Sequence, residues 1–101
     1  MNPNEEQSLS DEIRLAGKAK DVLQSEAFKA AFNRVEEALL GAMKSSPIAD
    51  ERLRLRLLDK FECLHALRDC MQSMVDTGLM AEEQLRQKTI AERVKDFLNI
   101  N

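Results

Sequence analysis

Apolar side chains return at steps of three and four along the middle of this chain: Leu57, Phe61, Leu64, Leu67 or Arg68, Met71, and Met74 or Val75. A helix brings such positions onto one face, because each residue turns about 100°. The same segment opens with "ERLRLRLLDK", residues 51–60, where Arg52, Arg54 and Arg56 alternate with Leu53, Leu55 and Leu57. So short an alternation fits a strand, but the longer periodicity outranks it, and the chain offers no second strand to pair with. Residues 51–76 therefore read as a helix, and Gly78 suits the left-handed position that ends one. On a helix the arginine comb disperses. Arg52 and Arg56 share a face, and Arg54 points about 160° away from it. Glu51–Arg54 and Arg56–Asp59 are candidate ion pairs. The arginines thus read first as a solvated, partly paired surface.

Composition agrees with helix. Three Gly and two Pro in 101 residues leave little material for hairpin turns. Charged residues make up 33% and aromatic residues only 4%. Residues 26–43, "EAFKAAFNRVEEALLGAM", place Phe28, Phe32, Val35, Leu39 and Met43 on one face. Upstream, "DEIRLAGKAKDVLQ" is helical in pattern, with Ser8 or Ser10 as a cap. The spacing leaves open whether Ser25 starts a new helix or one helix runs on from residue 10. "KSSPIAD", residues 44–50, is the one clear connection: Pro47 disfavours helix at Ser46, and Asp50 is a good N-cap. So short a loop predicts antiparallel packing of its flanking helices.

The expected architecture is all-α, in one domain. Two long helices, roughly 10–44 and 50–77, form an antiparallel hairpin over residues 9–78. Residues 1–8 are a disordered acidic leader, and residues 79–101 hold a shorter, peripheral C-terminal helix near 80–98. Leu53, Leu55, Leu57 and Leu58 wrap most of the circumference of the second long helix, and Cys63, Leu67, Cys70 and Met74 add a second stripe. A helix so broadly apolar needs two neighbours. One is the helix at 26–43; the other is the C-terminal segment or a second copy, and a homo-oligomer is expected. The residues expected at an oligomer or partner interface are Leu53, Leu55, Leu67, Met74, Ile90, Val94 and Phe97.

Charge and chemistry narrow the function. Net charge is −3, and residues 1–12 hold four acids and no base. No segment has the basic excess that tracks a phosphate backbone. Nucleic acid is therefore the less favoured partner, with Arg52, Arg54 and Arg56 as its phosphate contacts. No run approaches a membrane span, so no membrane is expected, and two cysteines fit a reducing cytoplasm. Cys63 and Cys70 lie about 10.5 Å apart along a helix axis, too far to share one ion or a disulfide. They read as buried apolar groups. His65, the one histidine, has no nucleophile at helical spacing. No metal, cofactor or catalytic residue is expected, and the chain reads as non-enzymatic.

The order of parts across residues 18–85 resembles a family of small all-helical tailed-bacteriophage proteins. A helix with "FKAAF" and "EEALL" precedes a "SSPIAD" loop and a helix opening "ERLRLRLL", and "MVDTGLMAEEQL" follows. Thr77, Gly78, Met80 and Ala81 fit best. Ala42, Met43 and Leu55 stand where relatives often carry large aromatics. The resemblance implies a phage-encoded helical protein of a kind met among virion-assembly genes, and carries no active site; the expected role is a phage structural or assembly accessory factor in the host cytoplasm or the virion. The alternatives are a packaging accessory resembling a small terminase subunit and an inhibitor of a host protein acting through the acidic leader.

Overall fold

A computed structural model describes residues 2–99; residue 1 of the expected leader and residues 100–101 of the expected C-terminal helix lie outside the described residues. Three helices make up the fold: α1 (Pro3–Gln24), α2 (Glu26–Ser45) and α3 (Glu51–Asn99). No strand occurs among the described residues, so the all-α class holds. Contacting pairs fall in one order: Phe32 against His65, Ala16 against Gly78, Glu6 against Lys88. As one number falls the other rises, so α1 and α2 lie end to end along α3 and antiparallel to it. At about 1.5 Å per residue, 49 residues of α3 span roughly 73 Å. That accounts for most of the 80 Å long axis of the molecule, whose cross-section is 26 × 17 Å.

Each helix starts where a side chain satisfies its free amides. Asn2 Oδ1 accepts from Glu5 N–H at 2.8 Å, with Pro3 at the first helical position. The cap is thus Asn2, not Ser8 or Ser10, and residues 3–8 are helical rather than a disordered leader. Ser25 settles the open junction as a break, so the single long helix expected over 10–44 is two helices. Its backbone is extended, its hydroxyl accepts from Phe28 N–H at 3.1 Å, and the same hydroxyl donates to Val22 O at 2.9 Å. One residue thereby ends α1 and begins α2. After the 46–50 connection, Asp50 Oδ1 accepts from Leu53 N–H at 3.1 Å, as its position predicts.

Gly78 overturns two expectations. It does not end a helix: its φ is negative, and α3 runs through it to Asn99. The C-terminal segment is therefore a continuation of α3, neither a separate helix nor a cover for residues 51–76. The glycine serves packing instead. A Cβ there would overlap the Cβ of Ala16 and come within 3.4 Å of Glu12 O. Gly78, Ala16, Ala19 and Ala81 are all buried, and Ala81 is only 1% exposed. With no bulky side chain between them, the backbones of α1 and α3 come close at this point.

The α2–α3 half is built differently. Phe32 and Leu57 are its buried members, with Phe28 6.0 Å from Phe32 between ring centroids. Val35, expected on this inner face, is exposed. Glu36 takes the inward position and meets His65. The core positions of α3 from Leu57 to Gly78 step four, three, four, three, through Phe61, Leu64, Arg68, Met71 and Val75. That is the spacing of a left-handed coiled-coil seam.

Candidate functional site

A polar cluster sits at the α2–α3 seam. His65 Nε2 lies 2.7 Å from Glu36 Oε2, although it is not aligned for a directed hydrogen bond. Its other nitrogen, Nδ1, lies 3.0 Å from Arg68 Nη2. A guanidinium has only donors, so Nδ1 accepts and the ring proton sits on Nε2, towards Glu36. The imidazole packs edge-on to Phe32 at 5.3 Å and tilted against Phe61 at 4.4 Å. The Arg68 guanidinium covers the Phe32 ring at 4.8 Å, a cation–π contact. Both imidazole nitrogens already face protein groups, so His65 ties α2 to α3. It has no open nitrogen for a substrate proton.

At the far end Lys88 Nζ lies 2.7 Å from Glu6 Oε1 and 3.5 Å from Glu92. The ammonium holds the Glu6 carboxyl below its usual range, chiefly by hydrogen bonding, and Glu6 in turn raises Lys88. Glu83 is lowered to about 2 by hydrogen bonds from Arg86 and Gln87. Those partners share its helix, whereas the Glu6–Lys88 pair bridges α1 and α3.

Cys63 and Cys70 are exposed, not buried as their spacing suggested. Among the described residues no group of three or more His, Cys, Asp or Glu side chains is placed to hold a metal ion. No helix among them is long and apolar enough to cross a membrane. Arg52, Arg54 and Arg56 are exposed. Among the described residues neither Glu51–Arg54 nor Arg56–Asp59 comes within ion-pair distance, because those side chains extend into solvent instead.

The residues expected at an interface separate into three places. Leu53, Leu67 and Met74 are multiples of seven apart and share one flank of α3; Leu53 and Leu67 are exposed and Met74 is half-buried. Leu55 lies about 200° round from Leu53 and faces another way. Ile90, Val94 and Phe97 form an exposed stripe near the end of α3. Since Glu6 stands beside Lys88 and α1 begins at Pro3, α3 beyond about residue 91 has no described helix alongside. Phe97 is 74% exposed there. The sequence reading missed that α2 contributes an outward row on the Leu67 flank: Ala31, Val35, Ala38 and Ala42. Its signal was present as alanines at steps of three and four, but small residues read equally well as helix filler.

No protein-family model, curated protein or solved structure matches the chain.

Proposed function

We propose that this chain is a non-enzymatic helical interaction protein, an accessory factor in assembling a larger protein structure, and that its apolar surface docks protein rather than nucleic acid. One observation carries the reading. Among the described residues no large side chain is fully buried, while fifteen large apolar side chains remain more than a third exposed. A chain that finished folding by itself would hide more of them, since apolar burial is the main favourable term in folding. The bare end of α3, with Ile90, Val94 and Phe97, has the three-four spacing of a helix that seats in a groove or joins a bundle. The resemblance to small uncharacterised helical tailed-phage proteins fits this role and makes the host cytoplasm or the virion the proposed setting.

Photo-crosslinking tests the reading. A photoreactive residue at Phe97 or Leu67 is expected to give discrete protein adducts in cells, whether to another copy or to another protein. The same residue at Glu62 is expected to give none. Absence of adducts at both apolar positions would sink the proposal. The packaging-accessory alternative predicts DNA retention that weakens steeply with salt and with loss of Arg52, Arg54 and Arg56. Retention of that kind would favour it.

A further inference from the structure

The exposed positions sort by angle into two unlike flanks. The Glu36–His65 pair marks one of them. Lys29, Glu37 and Lys44 of α2 and Glu62, Asp69 and Asp76 of α3 lie on that side, and all are exposed. The opposite flank is mostly apolar; its charges are Arg56 and Lys60, seven residues before Cys63 and Leu67, and Arg34 at the outer edge of α2. There α2 presents Ala31, Val35, Ala38 and Ala42, and α3 presents Cys63, Leu67, Cys70 and Met74. The flank continues onto α1, where Glu12 and Leu15 line a shallow groove together with Cys70, Ser73, Met74 and Thr77.

We infer that this mostly apolar flank is covered by a second copy of the chain, giving a two-fold symmetric helical bundle. The inference rests on the reading of the apolar surface as a docking surface for protein, and it names the occupant of one part. Surface area supports it. The chain exposes 7952 Å², whereas a compact protein of 11.5 kDa exposes about 5,800 Å². The radius of gyration is 21.9 Å, against about 13 Å for a compact domain of this length. The excess, on the order of 2,000 Å² per chain, is of the size that obligate homodimers bury.

Desolvation selects the flank. Covering the Glu36–His65 side would bury Glu62, Asp69 and Asp76. From Cys63 to Met74 the opposite flank of α3 carries no charged residue. Shape agrees as well. The alanine row of α2 leaves a shallow trough, and Leu67 and Met74 of the copy's α3 are the large side chains to fill it. The exchange is reciprocal, so large meets small twice. Cys63 and Cys70 are covered in the dimer, which supplies a second readout.

Light scattering on the full chain over a concentration series is expected to give twice the 11.5 kDa chain mass. Reactivity of the two thiols should fall as mass rises. Ala38→Glu and Leu67→Glu each place a charge in the covered face, and each is expected to weaken association at least about 100-fold. Both sites are exposed in the single chain, so helix content by circular dichroism should be unchanged. Leu79→Glu, at an exposed position on the charged flank, should leave the dimer intact. A wild-type monomer at every concentration overturns the inference, as does a dimer that neither Ala38→Glu nor Leu67→Glu weakens. A monomer that still crosslinks to other proteins through Leu67 or Phe97 would overturn the second copy alone and leave the docking reading standing.

Discussion

The two halves of the molecule join helices by opposite means. Where α1 meets α3 the seam is made of Ala16, Ala19, Gly78 and Ala81, and the backbones come close. Where α2 meets α3 the seam is made of Phe28, Phe32, Phe61 and His65, with Arg68 over a ring. In the first half cohesion comes from many short contacts along a smooth surface, each small by itself. In the second it comes from a few large side chains and one polar tie, Glu36 to His65. The first kind of seam is intolerant of added volume. The second is intolerant of removed volume.

Truncation of the aromatic seam should have the largest effect. Phe32 is 8% exposed and touches both Phe28 and His65. Phe32→Ala is expected to cost about 3 kcal/mol. Hydrogen exchange should then rise first in α2 and in residues 57–71, before α1. Loss of protection in α1 first would mean that the two halves are not separately stabilised.

Enlarging the smooth seam should come next. Gly78→Leu drives a side chain into Ala16 and is expected to cost about 2 kcal/mol by overpacking. Here protection should fall in α1 and spare α2. Gly41→Ala provides the contrast, since an added Cβ there meets nothing within 4 Å. It is expected to stabilise by about 0.5–1 kcal/mol, from the greater freedom glycine has in the unfolded chain. Thermal melts of these two variants should shift in opposite directions. Shifts of one sign would show that Gly78 is not the point of close approach.

The smallest expected effect is on pH dependence at the open end of the α1–α3 half. Glu6 is lowered by Lys88, so its contribution is fully present above its unfolded value near 4.5. That contribution is lost as pH falls through the lower folded value. Lys88 is raised, so its share is present below about 10.5 and is lost as pH rises through the folded value. Acidification below 4.5 should therefore loosen the first turns of α1, seen as faster amide exchange near Glu6. Glu6→Gln should abolish that dependence. Acid-induced loosening that persists in Glu6→Gln would place its origin elsewhere.

Local chemistry alone determined several features of this protein. The long apolar periodicity, the scarcity of glycine and proline, the break at 46–50 and the Asp50 cap all act within a few residues of themselves. Each is therefore legible in the sequence, and together they specify an all-α chain. The Ser25 junction stood at the edge of legibility, because a serine caps a new helix or sits within an old one according to its backbone conformation. The remaining features depended on what lies across the seam. Gly78 has the chemistry of a terminator, but Ala16 needs its missing side chain, so α3 runs on to Asn99. Val35 and Glu36 are neighbours competing for one inward position, and His65, twenty-nine residues away, gives it to the glutamate. Cys63 and Cys70 share a face by spacing, yet only the placement of α1 and α2 left that face open to solvent. Spacing along a helix says which side chains share a face, because the helix repeat is a local property. Which face is covered depends on the partner that arrives there, and that is a property of the whole fold.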